Sequence, residues 1–444
     1  MGKVISIFGT SSDAGKSTIT FILGRIFQEF GYKVAPFKAQ NVSNNATVAD
    51  DGSEIAYSQY FQALALNEKT SWRNNPILLK SGGKNLSYLV LRGKALKKSS
   101  VKNYYKNLDE LKPIVKEAID ELLRDNDLVV AEGAGSPVEL NLMDKDLSNI
   151  FIAKEYNSKI ILVADIEKGG VFASIYGVYN LLPKPLQKNV VGVIINKFRG
   201  DLSLFDKGVK IIEEQFKIPV LGVLPYFEFN LGFEDSYSLK NYTKKEGKKR
   251  VAIIKYPTIS NYNDFEPLIA KEDIDLEFID FDTPLERFDL VILAGSKLVM
   301  RDLQWLKRVG LFEKLKRREG EILGVCGGYE MMFEKLIDSE QIESAIKSEE
   351  GLGFIDDNIY FQRQKVVKRG VYNIFGKKIN GFELHSGVSR KYPLFYQKGN
   401  IKGTFVHSLF EDDEFREFRA KRIDEFVEQM KKHLNIQKLK KALG

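Results

Sequence analysis

Six runs in the first half of the chain are almost wholly apolar: KVISIFG (3–9), the centre of YKVAPFKA (32–39), DLVVAEG (127–133), KIILVADI (159–166), VVGVIINKF (190–198) and IPVLGVLP (218–225). Strands buried on both faces read this way, whereas a strand with one wet face alternates. Between several of them lie stretches with apolar residues at helical spacing, such as STITFILGRIFQEFG (17–31) and KPIVKEAIDELLRDN (112–126). Strand and helix in alternation predict a parallel, doubly wound α/β sheet. Residues 49–110 keep the rhythm less well and read as an insertion near the ligand.

The polar, lysine-rich segment KNYTKKEGKKR (240–250) interrupts the pattern and reads as a linker. Strand-like runs then resume with RVAIIKYP, IDLEFIDF, DLVILAGS and EILGVCGG, followed by GFELHSGVS and GTFVHSLF. Two α/β domains are expected, at 1–240 and 250–444. YEMMFEKL (329–336) has a helical pattern, and FREFRAKRIDEFVEQM near the C-terminus predicts an amphipathic helix with a basic tail.

At 444 residues the chain exceeds one ordinary core, which agrees with two domains. No stretch approaches the ~18 consecutive apolar residues of a membrane span. The N-terminus enters a strand without a signal-peptide pattern, so a cytoplasmic location and no membrane partner are expected. The net charge of +7 mildly favours anionic small molecules. Lys and Arg are interleaved with Asp and Glu, without an aromatic-basic platform, which argues against nucleic acid. One cysteine excludes an internal disulfide, and with only three histidines the composition argues against a Cys- or His-rich metal cluster.

GTSSDAGKST (9–18) lies between the first strand and the first helix, the setting of a phosphate-binding loop. Five residues rather than the usual four separate Gly9 from Gly15. GVCGG (324–328) places the single cysteine in a G-x-nucleophile-x-G elbow, where a sharp strand-to-helix turn exposes the sulfur. Cys326 is the candidate nucleophile and needs a base. His407, at a strand end in GTFVHSLF, is the first candidate and His385 the rival, while His433 lies in a lysine-rich tail. The turn after DLVIL, with Gly295 and Ser296, and the backbone of Gly327 are candidates for an oxyanion hole.

The order of these features, with APFKAQNVS, DDGSEIAYSQ, NNPILLK, EGAGSPVELNL, ADIEKGGVFAS, INKFRGD, FEDSYSL, SNYNDFEPL, LAGSK, GVCGGYEMM and GLGF, resembles the cobyric acid synthase family along almost the whole chain. That resemblance implies a dethiobiotin synthetase-like P-loop domain, with which it shares the long loop, followed by a class I glutamine amidotransferase-like domain. It implies ATP and Mg²⁺ as cofactors, and glutamine and a corrinoid polycarboxylate as substrates. Four carboxylates of adenosylcobyrinic acid a,c-diamide would be amidated through acyl phosphates.

By the same resemblance Gly9, Thr10, Asp13, Ala14, Gly15, Lys16, Ser17 and Thr18 would bind the phosphates, and Asn196 and Lys197 the adenine. Ser17, Glu132 and Asp51, or its neighbour Asp50, are the expected metal ligands. Lys38, Gln40, Asn41, Asp165, Lys168 and His385 are expected near substrate. Leu409 stands where many amidotransferases carry the glutamate that orients the histidine, and Glu383 is the expected substitute. A cobyrinic acid a,c-diamide synthase-like amidoligase, a P-loop switch ATPase and a non-catalytic scaffold are the competing readings. The switch and scaffold readings leave the elbow cysteine without a role.

Overall fold

The computed structural model describes residues 2–81, 86–100, 108–227, 229, 231–232 and 248–443. FEDSYSL (233–239) and most of the expected linker lie outside the described residues.

The six apolar runs form one sheet, all parallel, in the order Val220–Pro225, Val190–Phe198, Lys159–Asp165, Lys3–Gly9, Leu128–Glu132, Val34–Phe37. Helices cover both faces, which explains why strand residues such as Ile5, Ile7, Val130 and Leu162 are buried without alternation. Helix Lys16–Glu29 packs on one face, and Leu108–Asp125 on the other through Leu111, Val115, Ala118, Ile119 and Leu122. The loop connecting Lys3–Gly9 to its helix lies at the carboxyl ends of the parallel strands, where ligands of open α/β sheets bind.

The insertion contains a hairpin of Ala46–Val48 with Glu54–Ala56 and a four-stranded sheet of Gln40–Val42, Ile77–Ser81, Leu86–Leu91 and Lys94–Ser100. It reaches toward the second domain, where Ala46, Val48, Leu78 and Val90 share an apolar cluster with Phe382 and Leu384.

The second domain has five parallel strands, ordered Ile274–Ile279, Lys249–Ile254, Leu290–Leu293, Glu321–Val325, Ile401–Thr404, with Phe395–Lys398 antiparallel at the edge. A second sheet is dominated by the long pair Ile355–Ile374 and Lys377–Ser389. YEMMFEKL departs from its helical pattern: the helix is the single turn Gly327–Glu330, and Phe333–Ile337 is a strand of this second sheet. Tyr329, Met331, Met332 and Phe333 are all buried, and an apolar run buried on every side carries no usable period.

The amphipathic C-terminal helix Asp413–Lys431 returns to the first domain. Phe415, Ile423, Phe426, Val427 and Met430 join the core built on Phe21 and Ile22. Helix Ile436–Leu443 follows it there through Leu439 and Leu443, and Leu434 bridges to Gly222. Residues 413–443 thus follow the second domain in sequence and pack into the core of the first.

Candidate active sites

Two cavities hold most of the residues singled out above. The first, of about 670 Å³, is lined by Asp13, Gly15, Lys16, Ser17, Thr18, Lys38, Gln40, Asn41, Glu132, Lys168 and Lys197 among others. Gly15 has φ 94°, a left-handed conformation suited to glycine, and a Cβ there would collide with the Asn196 amide. Asn196 therefore stands behind the loop, donating to the Ala14 carbonyl at 2.9 Å, and does not line the cavity. Lys197 does line it, and its ammonium bridges the Asp13 carbonyl (2.6 Å) and Asp165 (2.9 Å). Asp165 is buried and turned away, holding Lys197 and the Glu167 amide. Gly9, Thr10 and Ala14 form the strap beneath, with the Thr10 amide on the Val163 carbonyl.

Glu132 is the centre of this cavity. Its carboxylate accepts from Ser17 Oγ (2.8 Å), Lys38 Nζ (2.7 Å) and Gln62 Nε2 (2.6 Å), and Gln62 also reaches the Ser17 carbonyl at 3.2 Å. Gln62 escaped the sequence reading because a glutamine in an amphipathic helix carries no signal of its own. A hydroxyl and a carboxylate oxygen in contact beside the phosphate loop suit a hard cation. Among the described residues no group of three or more His, Cys, Asp or Glu side chains is placed to hold a metal.

Asp51 and Asp50 do not join this cavity, which corrects the metal assignment for Asp51. Asp51 is exposed and folds its own turn, accepting from the Ser53 amide (3.0 Å) and the Trp72 amide (3.2 Å). Asp50 is held by Thr70 through backbone and hydroxyl, each at 2.9 Å. Both are turn-forming aspartates.

Cys326 ends strand Glu321–Val325 with φ 51° and ψ −111°, a combination that a side-chain-bearing residue adopts only when its surroundings enforce it. The Cys326 amide is fixed to the Thr404 carbonyl at 2.8 Å. A Cβ on Gly327 would stand 2.7 Å from the Ser296 nitrogen, and one on Gly328 would collide with the Leu293 carbonyl. Gly295, Ser296 and Gly327 are thereby packed backbone to backbone at the nucleophile turn. Ser296 is steadied by Asp302, which accepts from Ser296 Oγ and Thr258 Oγ1 at 2.6 Å each.

His407 is fully buried, and its Nδ1 pairs with Asp264 Oδ2 at 2.6 Å while the Ser408 amide holds the other Asp264 oxygen at 3.0 Å. Burial alone pulls the imidazolium down, but Asp264 and then Cys326 outweigh it and raise His407 to about 10. The site thus favours a proton on His407 where it faces the Cys326 sulfur. The helix that follows Cys326 is a single turn, Gly327–Glu330, so the histidine is the nearby charged partner of the sulfur.

Glu383 is not the carboxylate behind His407. In the antiparallel pairing Phe382 faces His407 and Glu383 faces Val406, so strand alternation sends Glu383 to the other side. Phe382 stacks on the His407 ring at 4.7 Å, and Glu383 contacts His385 Nε2 at 3.4 Å. His385 is buried, bonded to the Gly387 carbonyl through Nδ1 and stacked on Phe405. It lines the Cys326 cavity but is engaged on both nitrogens.

That second cavity, of about 560 Å³, is walled by both domains: Glu54, Lys80, Tyr88, Val90 and Ala95 from the insertion face Ser296, Lys297, Cys326, Gly327 and Lys365. Glu54 is wholly buried and pairs with Lys80 and, across the domains, Lys365, each at 2.8 Å. Burial pushes the Glu54 carboxyl up, but Lys365 and Lys80 win and hold it down at about 2.

A phosphate-binding loop facing a carboxylate in one domain, and a Cys–His–Asp constellation in the other, define an ATP-using enzyme coupled to an amidotransferase site. Residues 5–230 match the CobQ/CobB/MinD/ParA nucleotide binding domain, and residues 250–415 the CobB/CobQ-like glutamine amidotransferase domain. The chain is 56% identical to the cobyric acid synthase of Acinetobacter baylyi, with 99% of each chain covered. It is 40% identical to a probable cobyric acid synthase of Methanocaldococcus jannaschii (94% of this chain, 91% of the relative). A Clostridium perfringens cobyric acid synthase is 38% identical over 98% of this chain and 92% of its own length. The chain belongs to the cobyric acid synthase family. It is a glutamine-dependent ligase of cobalamin biosynthesis, with an ATP-binding domain, acting on small molecules. No described helix is long and apolar enough to cross a membrane.

Proposed function

We propose that the enzyme amidates four side-chain carboxylates of adenosylcobyrinic acid a,c-diamide, using ATP for activation and glutamine as nitrogen donor, to give adenosylcobyric acid. The observation that carries this reading is the Cys326–His407–Asp264 constellation in one chain with the Lys16–Ser17–Glu132 cavity. A carboxylate is a poor acceptor for ammonia at neutral pH. Transfer of the ATP γ-phosphoryl to a carboxylate oxygen makes an acyl phosphate, and ammonia then attacks the carbonyl carbon and expels phosphate.

In the second domain the Cys326 sulfur attacks the glutamine side-chain carbonyl. The oxyanion is received by backbone N–H groups of the Gly295–Ser296 and Gly327 turns. His407 gives its proton to the departing ammonia, leaving a thioester, and then takes one from the water that releases glutamate. Asp264 keeps the ring oriented and charged, the part a triad carboxylate plays.

In the first domain Gly15, Lys16 and Thr18 cradle the phosphates, and Ser17 and Glu132 would hold Mg²⁺, which when bound neutralises phosphate charge. Lys38, Gln40, Asn41 and Lys168 line the space left for the acceptor carboxylate. Buried amides extend from the nucleotide cavity to the domain junction: Asn41, in the cavity wall, bonds Ser58 and Gln59, and Asn45 and Asn263 pair across the domains. This polar seam supports internal passage of ammonia. A free cysteine nucleophile suits a reducing compartment, and we assign the enzyme to the cytoplasm.

The a,c-diamide synthase reading is disfavoured by relatives named cobyric acid synthase over nearly the whole chain. Product mass after incubation with adenosylcobyrinic acid a,c-diamide, ATP, Mg²⁺ and glutamine tests the proposal. A ladder ending at four OH-to-NH₂ exchanges is expected. Consumption of ATP and glutamine only with a different carboxylic acid would overturn it.

A further inference from the structure

Hydrolysis at Cys326 involves only the amide end of glutamine, so selectivity for the amino acid over other primary amides requires a grip on its α-carboxylate and α-ammonium. Most charges on the cavity wall are already committed. Lys80 and Lys365 pair with Glu54, Arg363 with Glu340, and Glu343 is held by the amides of Val299 and Met300. Glu330 lies in the same wall, and burial followed by the neighbouring Cys326 and Glu343 charges drives its carboxyl toward the neutral form.

Lys297 differs. Its backbone follows Gly295–Ser296 directly and is anchored by its amide to the Thr258 carbonyl at 2.9 Å. Ser296 in turn packs on Gly327, so the lysine emerges one residue from the nucleophile turn. Its ammonium lies 3.8 Å from the centre of the Tyr88 ring and has no carboxylate within ion-pair distance among the described residues. Tyr88 comes from the first domain's insertion and is fixed by its hydroxyl to the Ile342 and Glu343 carbonyls at 2.7 Å each.

We propose that Lys297 binds the α-carboxylate of glutamine, seated on Tyr88, so that the head-group subsite is shared by the two domains. This deepens the reading of Cys326 as a glutaminase nucleophile and rests on it. Burial, then Lys80 and Lys365, hold the Lys297 ammonium down at about 7 against the opposing pull of Glu54 and Glu343. An arriving carboxylate supplies the missing counter-charge.

The test compares two electrophiles on the full-length enzyme. 6-Diazo-5-oxo-L-norleucine carries the amino-acid head group, whereas iodoacetamide does not, and both are scored by the mass of the Cys326 peptide. In the unaltered enzyme the diazo ketone reacts at a rate that saturates with concentration. Lys297→Met is expected to raise its half-saturating concentration about tenfold or more, the scale of one charge-assisted contact. The iodoacetamide rate, which reports a folded site with a reactive sulfur, normalises the comparison. Lys297→Arg is expected to restore part of the saturation. An unchanged diazo-ketone to iodoacetamide ratio in Lys297→Met overturns the subsite while leaving the glutaminase reading intact. Failure of the diazo ketone to label the unaltered enzyme overturns both.

Discussion

The nucleotide cavity and the Cys326 cavity are of similar size, about 670 and 560 Å³, but they are assembled in different ways. The first is built at the carboxyl ends of parallel strands of one sheet, and its catalytic groups lie in short contiguous segments. The second borrows an insertion from the other domain, so Glu54, Lys80 and Tyr88 wall a site whose proposed nucleophile is Cys326. A phosphate cradle needs backbone N–H groups, which one loop can supply. Selecting glutamine and releasing ammonia needs side chains from several directions, and a cavity shared between domains provides them.

The comparison is broken most severely by removing each centre in turn. Cys326→Ala is expected to abolish glutamine hydrolysis, by about 10⁴-fold or more, while ammonium salts still drive amidation. Lys16→Ala should do the reverse, with product formation lost from either nitrogen source and glutaminase retained; glutamate release and product mass, measured side by side, check both.

Next in size is Asp264→Asn, expected to lower the glutaminase kcat by about 10²–10⁴ through loss of the oriented imidazolium, with Glu383→Gln far milder. Because His407 is raised above its ordinary 6.5 to about 10, the stabilisation from its pairing is complete below about pH 6.5 and is lost as pH rises through about 10. Without Asp264 that alkaline limit should move to lower pH. Thermal unfolding followed from pH 6 to 10.5, with a parallel pH–rate profile, reads the shift.

Glu54→Gln sharpens the claim of a shared wall. It leaves Lys80 and Lys365 buried without their anion, and a stability loss of about 3–5 kcal/mol is expected, seen as a lowered denaturation midpoint. The smallest effect is reserved for Asp51→Asn, where ATP turnover should change less than about twofold because the side chain serves only an exposed turn.

Legibility followed the same division. GTSSDAGKS and the end of DLVVAE are local signals, and the sheet that aligns Lys16 with Glu132 follows from apolar strands that announce themselves. Asp264 had no such signal: it sits in a single 3₁₀ turn, Tyr262–Phe265, and meets His407 across a sequence separation of 143. The expected substitute, Glu383, was near in sequence but on the wrong face of its strand. Ile355–Ile374 gives no clear strand signal because its middle, RQKVVKR (363–369), is mostly polar: Lys365 and Arg369 are turned to Glu54 and Val48 of the insertion, so neither face carries a continuous apolar pattern. The insertion was recognised as irregular, yet which cavity it would wall depended on how the domains dock.

The central claim is that the two cavities work as one enzyme, with nitrogen handed from the Cys326 site to the Glu132 site inside the molecule. It is tested most directly by supplying amide-¹⁵N-glutamine together with excess unlabelled ammonium, and reading ¹⁵N in the corrinoid amides by mass spectrometry. The account predicts product enriched in ¹⁵N well above the bulk ammonium pool. Product labelled only to the bulk ratio would mean that ammonia leaves to solvent before it is used, and would contradict it.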